Sequence, residues 1–246
     1  NFFQFDVIKD NIKKLKKFIK KDTIIINCIG TIKPNINESD QKSILNAILV
    51  NSIFPMRLND LTSKKNKIYQ IATDCVFDGK NNLYSENANH NATDVYGKTK
   101  SLGEIVDKNF YNIRASIIGR EIKDYNSLYS WFLKQKPYSE INGFKNHLWN
   151  GLSTKAFSIV LISIIENKIK IPNKIHICPK NIISKYKMLK LFKYKNNEKI
   201  IKIKSVNAKV KIDRTLSTNF KKISNNIWMK SDYGKVPTIE YLIKEF

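Results

Sequence analysis

Glycine, cysteine, histidine and acidic residues are all scarce in this chain, and each scarcity closes off some chemistry. The eight glycines (Gly30, Gly79, Gly97, Gly103, Gly119, Gly143, Gly151 and Gly234) nowhere form G-x-G-x-x-G. No stretch therefore reads as the glycine-rich turn that sets backbone N–H groups and a helix N-terminus against a pyrophosphate. The three cysteines, Cys28, Cys75 and Cys178, stand far apart, each in an apolar strand-like run. With no CxxC and no Cys/His spacing, they are expected to be buried free thiols in a reducing compartment. The three histidines (His90, His147, His176) make no ligand pattern, so no metal is expected. No apolar run reaches the roughly 18 residues of a membrane span, and nothing resembles a signal peptide. The expectation is a cytoplasmic protein with no membrane partner.

Lys and Arg number 44 against 21 Asp and Glu, a formal net charge of +23. Such an excess can mark a nucleic-acid or anionic-membrane partner. A dedicated footprint concentrates its charge on one face, whereas the lysines here run through every segment without arginine clusters or regular aromatic interleaving. Biased composition is the simpler account, and nucleic acid is not the expected partner. The length of 246 residues, 42% of them hydrophobic, suits one large domain or two small ones with a sizeable core.

The chain is organised around residues 68–104. An apolar run from Ile68 ends in a hydroxyl and an acid, Thr73 and Asp74, followed by Cys75-Val76-Phe77-Asp78-Gly79. After a polar loop comes Tyr96-Gly97-Lys98-Thr99-Lys100, then Leu102-Gly103-Glu104. On a helix, Tyr96 and Lys100 lie on one face, a turn apart. An ammonium beside a phenol favours phenolate and is expected to lower the tyrosine from its ordinary value of about 10 toward neutrality. A strand-end hydroxyl such as Thr73 can then hold a substrate carbonyl against the phenol, an oxidoreductase-like constellation. Spacing alone is weak: with this many lysines, about two Tyr-x-x-x-Lys pairs arise by chance. A second copy, Tyr186 and Lys190, is read as an ordinary amphipathic helix.

Thr-Asp-x-Val-Phe-Asp-Gly, Tyr84-Ser85-Glu86, Tyr-Gly-Lys-Thr-Lys and Leu-Gly-Glu together resemble the extended branch of the short-chain dehydrogenase/reductase superfamily. Within it they are most similar to the dTDP-4-dehydrorhamnose reductases and their nucleotide-sugar reductase relatives. One departure is visible: the proline that often precedes the tyrosine is absent from Asn91-Ala92-Thr93-Asp94-Val95.

The resemblance implies an α/β fold, a Rossmann-like doubly wound parallel sheet with a smaller C-terminal α+β substrate-binding part. The division expected is an NAD(P)-binding domain over 1–125, to which the chain returns around 145–180, and a substrate-binding part over 126–246. By alignment with the family, the first strand, the glycine-rich turn and the second strand would precede residue 1, so the chain is expected to be an N-terminally incomplete copy of a longer enzyme. NADP and NAD cannot be told apart, since the discriminating residue follows that second strand.

The implied activity is NAD(P)H-dependent reduction of a 4-keto nucleotide sugar, in deoxysugar or surface-polysaccharide synthesis. Tyr96 would donate the proton, Lys100 would lower its pKa and hold the cofactor ribose, and Thr73 would orient the carbonyl. Asn51, inside the helix expected over 39–61, corresponds to a family asparagine that supports a water relay behind the lysine; a polar packing residue is the alternative. Asp6 and Val7 correspond to the adenine end of the cofactor, and Cys28, Ile29 and Gly30 to the segment under its ribose and nicotinamide. Asp74, Val76, Phe77, His147, Trp149 and Arg214 are the substrate-side candidates, Arg214 for the nucleotide diphosphate because a guanidinium matches phosphate bidentately. Arg114 is either a structural ion-pair former or a group facing the cleft. A homodimer is compatible with the resemblance.

Two rivals stay open. An epimerase of the same superfamily needs only the Tyr/Lys pair and a retained cofactor, whereas a dehydratase would want an acid where Cys75 stands. A non-catalytic basic protein reusing the fold is the reading from another class. Elsewhere, a strand-like Phe2–Val7, a helix from Ile8 to Ile19, a buried strand Thr23–Ile29, a continuous strand Tyr111–Gly119, a polar loop over 142–151 and a strand over 199–212 are expected. Helices headed by Ser153-Thr154 and by Ser184, and a last helix from Thr238 to Phe246, complete the reading.

Overall fold

The computed structural model describes residues 2–121, 127–196 and 200–245. In chain order these form β1 (Ile24–Asn27), α1 (Gln41–Ile48), α2 (Phe54–Leu61), β2 (Lys67–Ala72), α3 (Val95–Leu102), β3 (Phe110–Arg114), β4 (Ile117–Ile118), α4 (Leu128–Leu133), β5 (Glu140–Phe144) and β6 (His147–Trp149). There follow β7 (Leu152–Ser153), α5 (Thr154–Glu166), β8 (Lys174–His176), β9 (Ile183–Ser184), α6 (Lys185–Lys195), β10 (Lys202–Val206), β11 (Ile212–Asp213), α7 (Lys221–Lys230) and α8 (Ile239–Lys244). The chain divides into two compact units, residues 1–77, 89–114 and 171–175 in the first, and 78–88, 115–170 and 176–246 in the second. The boundary expected at 125/126 lies outside the described residues.

The first unit is built on a sheet of order β1-β2-β3-β8, with β1, β2 and β3 parallel. It is the α/β architecture expected of a Rossmann-like sheet, reached through helical crossovers. One face stacks Ile25, Ile68 and Phe110 in register under Phe54 and Leu58 of α2. The next row of that face is polar: Asn27, Gln70 and Asn112 lie side by side, all buried, and Asn27 Nδ2 donates to Gln70 Oε1 at 2.7 Å.

Several elements depart from the sequence reading. Phe2–Val7 forms no strand and the first helix shrinks to a 3₁₀ segment, Ile12–Phe18. The Asp6 carboxylate accepts from the Ile8 and Lys9 N–H groups, a local turn that competes with helix, and the lysines at 13, 14, 16, 17, 20 and 21 repel one another. β1 is not buried: it is a sheet edge, and Ile24 and Ile26 are each 43% exposed. The long helix expected over 39–61 is interrupted by a π-turn at Leu49–Ile53. Pro55 has no N–H to give the Asn51 carbonyl, which is how a proline disturbs a helix. The strand expected over 111–119 breaks after Arg114, and β4 pairs instead with β7 in the second unit.

The second unit holds three small sheets, β10-β5, β11-β6-β9 and β4-β7. The stretch 142–151, expected as a loop, contributes strand β6 and most of β5. The strand expected over 199–212 splits into β10 and β11, with residues 197–199 outside the described ones. Ser153 and Ser184 cap α5 and α6 by accepting from Ala156 N and Lys187 N. The apolar faces of α4, α6 and α8 share one core of Phe132, Trp149, Met188, Phe192, Ile239 and Ile243. Phe246, the expected end of the last helix, lies outside the described residues. Among the described residues no helix is long and apolar enough to cross a membrane.

Candidate active site

Strand β2 delivers Thr73 and Asp74 at its C-terminal end, where ligands gather in open α/β sheets. Thr73 begins a 3₁₀ turn: its Oγ1 accepts from Cys75 N at 3.2 Å and lies 3.3 Å from Asp74 Oδ1. The same hydroxyl stands beside the Tyr96 phenol, close enough to oppose the rise in its pKa, so strand end and helix meet at the reacting groups. Gly97 makes this approach possible: a Cβ there would fall 2.3 Å from both the Cys75 carbonyl and the Ala92 side chain. At the other end of α3, a Cβ on Gly103 would lie 1.9 Å from the Asn51 carbonyl. That is the carbonyl to which Pro55 has no N–H to offer, and α3 comes this close to the chain at the π-turn.

Lys100, 8% exposed, donates to the Ile71 carbonyl at 2.9 Å. Burial lowers its pKa to about 8, against the raising influence of Glu104. The expectation that Lys100 draws the phenol toward neutrality is overturned. Tyr96 is held well above the ordinary tyrosine value, first by burial and then by Cys75, Asp74 and Asp94, with the Thr73 hydroxyl opposing. Loss of hydration disfavours phenolate more than its surroundings favour it, so Tyr96 keeps its proton at neutral pH.

Asn51 sits in the π-turn and ties two segments together. Its Oδ1 accepts from Thr31 N (2.8 Å), and its Nδ2 donates to Thr31 O (3.0 Å) and Thr99 Oγ1 (3.1 Å). Asn27 fixes the start of the same loop by accepting from Ile29 N at 3.1 Å. Between the two clamps Cys28, Ile29 and Gly30 are exposed, and a Cβ on Gly30 would stand 3.8 Å from Lys100 Nζ. Thr73, Tyr96, Lys100, Asn51 and the 28–30 loop are thus brought together in the first unit. The thiols are not buried as expected, since Cys28 is exposed and Cys75 and Cys178 half-buried.

The remaining candidates divide. Asp6 is exposed and occupied with its turn, and Val7 packs on the Phe54 cluster. Asp74 is buried beside Thr73. Val76 and Phe77 have no exposure at all, and as core residues they are not available to touch a substrate. Arg114 is likewise fully buried, its Nη2 donating to both carboxylate oxygens of Glu104 (2.6 and 2.5 Å) and to His90 Nε2 (2.7 Å). The ion-pair alternative is the one the structure shows. In the second unit, Trp149 is buried and donates to Ser116 Oγ at 2.8 Å, while His147 Nε2 bonds the Val210 carbonyl at 3.0 Å. Arg214 is half-buried against Gly79.

His90, Ser101 and Thr99 were not singled out from the sequence. Only position could have flagged them: Thr99 and Ser101 flank Lys100, while His90 lies well upstream of Tyr96 with nothing in its neighbours to mark it.

The sequence model of the family described as the RmlD substrate binding domain matches residues 5–217. No curated protein matches the chain. Among solved structures, a dTDP-4-dehydrorhamnose reductase from Clostridium acetobutylicum shares 21% identity at a TM-score of 0.74, covering 96% of this chain and 84% of that one. The same enzyme from Bacillus anthracis, in complex with NADP, shares 18% at a TM-score of 0.76, with 96% and 84% covered. A UDP-glucuronic acid 4-epimerase from Bacillus cereus with NAD and UDP-glucuronic acid shares 18% at 0.71, covering 98% of this chain and 78% of that one.

Proposed function

Because this chain belongs to the RmlD substrate binding domain family, we propose that its Thr73–Tyr96–Lys100 cluster catalyses NAD(P)H-dependent reduction of a 4-keto nucleotide sugar, as in dTDP-4-dehydrorhamnose reductases. The observation that carries the reading is the Thr73 hydroxyl standing beside a Tyr96 phenol kept protonated by its surroundings, with the buried Lys100 on the same helix. A ketone accepting from both hydroxyls would be oriented by Thr73 and protonated on oxygen by Tyr96. A phenol that resists ionisation suits this role, because the oxygen it serves becomes far more basic as the carbonyl is reduced.

The residues fit the nicotinamide and ribose end of NADP or NAD: the exposed 28–30 loop runs beside Lys100, with no side chain at Gly30 to fill the space. When bound, the nicotinamide supplies the hydride for the carbonyl carbon. Lys100, mostly protonated at neutral pH with a pKa of about 8, would donate to ribose hydroxyls and offset charge developing on the phenol. Arg214 remains the candidate for the diphosphate of the sugar nucleotide, and the first and second units would serve cofactor and substrate respectively.

The test is consumption of NADPH or NADH by the protein with a 4-keto nucleotide sugar. Tyr96→Phe should abolish turnover while cofactor binding persists; undiminished turnover would refute the assignment. The likeness to the epimerase keeps a second reading in play, distinguished by interconversion of sugar epimers without net cofactor consumption.

A further inference from the structure

On the side of α3 away from the Tyr96–Lys100 pair lies a surface cavity of about 490 Å³ whose lining includes His90, Gly97, Lys98, Ser101 and Glu104. At its base is a cluster the proposed reaction does not use. Arg114 carries only donors, so the 2.7 Å contact from its Nη2 makes His90 Nε2 an acceptor. The ring hydrogen must then sit on Nδ1, where it donates to Ser101 Oγ at 2.6 Å. Ser101 is the residue after Lys100, in the last turn of α3. A neutral histidine thus joins the buried end of β3 to the helix that carries the proposed proton donor.

We propose that His90 is a positioning residue for Tyr96 and Lys100: in its neutral Nδ1–H form it bridges Arg114 to Ser101 and holds α3 in place, and protonation opens the bridge. The claim rests on the reductase reading above. A proton on Nε2 must displace the Arg114 donor, since the nitrogen has one lone pair. The imidazolium would then stand beside the Arg114 guanidinium and Lys174, with the Glu104 carboxylate opposing them. Glu104 is already shared: its Oε2 lies 2.5 Å from Arg114 Nη2, 3.9 Å from Lys174 Nζ and 3.7 Å from His90 Nε2. The Phe77 ring meets the imidazole edge-on at 5.6 Å and gives it no acceptor.

Burial first, and then Arg114 and Lys174, hold His90 below its ordinary value against the pull of Glu104. The native state therefore resists a proton that the unfolded chain accepts. The cluster weakens as pH falls from the ordinary histidine value through the lower native one.

The experiment compares the wild-type protein with His90→Gln and His90→Ala. Glutamine accepts from Arg114 and donates to Ser101 but does not titrate. His90→Gln should keep neutral-pH kcat within about twofold while flattening the acid limb of the pH profile. His90→Ala should lower kcat by about 10- to 100-fold with KM little changed, the signature of misplacement. Two readouts need no turnover: amide hydrogen exchange across residues 95–102 at neutral pH and at about pH 5, and the ring ¹⁵N shifts of His90. Wild type should lose protection at acid pH and His90→Gln should not, and His90 should be the Nδ1–H tautomer. An identical acid limb or identical loss of protection in His90→Gln, or an Nε2–H tautomer, overturns the proposal. Should none of the proteins turn over, the reductase reading fails, while exchange and tautomer still decide this one.

Discussion

The molecule contains the same local pattern twice, once in each unit. Tyr96 and Lys100 on α3 and Tyr186 and Lys190 on α6 are both Tyr-x-x-x-Lys on one helical face. On α6 the lysine is exposed and its ammonium lies 5.6 Å over the ring of its own tyrosine, an ordinary cation–π contact. On α3 the lysine is buried and bonded to a strand carbonyl, and the tyrosine meets a strand-end hydroxyl. Identical spacing yields a surface pair in one place and a pair of perturbed groups in the other. What separates them is the sheet end beneath α3 and the glycines that let the helix close upon it.

The sharpest way to break the comparison is to delete both phenols. Tyr96→Phe should lower turnover at least 10²- to 10⁴-fold, the range of general acid catalysis, while Tyr186→Phe should leave it within about twofold. Equal effects in a steady-state assay would mean that environment does not distinguish the two. Next in size, Glu104→Gln leaves the fully buried Arg114 facing an uncharged amide, and losing one partner of a buried pair destabilises by roughly 3–5 kcal/mol. Denaturant unfolding would check this; Lys202→Gln, which removes one exposed partner of Glu140, should shift stability by at most about 1 kcal/mol. Gly103→Ala should destabilise by about 1–3 kcal/mol through forced backbone movement, visible as a lower melting temperature. Gly234→Ala tests the contrasting case, since φ is +63° there with open space around it, and only local backbone strain of about 1 kcal/mol is expected.

Much of the first unit was legible because its signals are local. Thr73 closes an apolar strand and Tyr96 opens a helix four residues before Lys100, and the motifs around them single out this pair from the copy at Tyr186 and Lys190. The α/β class came with the family resemblance that these motifs carry. What could not be read depended on neighbours distant in sequence. Val76 and Phe77 stand in a motif yet point into the core, and Arg114 is claimed by Glu104 and His90. The direction of the tyrosine shift failed for the same reason: the rule that an ammonium acidifies a phenol holds at equal hydration, and here burial removes the water that phenolate needs. The break at Asn51 is readable in principle from Pro55, whose missing N–H interrupts an otherwise helical pattern. In the second unit, β5 and β6 were read as loop because their polar residues hide the alternation that β-pairing exploits.

The most direct test of this account is the ionisation of Lys100 itself, followed by the ¹³Cε and ¹⁵Nζ signals of the lysines across a pH titration and assigned with Lys100→Arg. Burial of the ammonium predicts a midpoint near 8. Between that midpoint and the ordinary lysine value the native state binds fewer protons than the unfolded chain, so the residue's contribution to stability should rise with pH in that window. A midpoint at the ordinary lysine value of about 10.4 would contradict the account, for it would mean that Lys100 sits in water like any surface lysine and that nothing but spacing joins it to Tyr96.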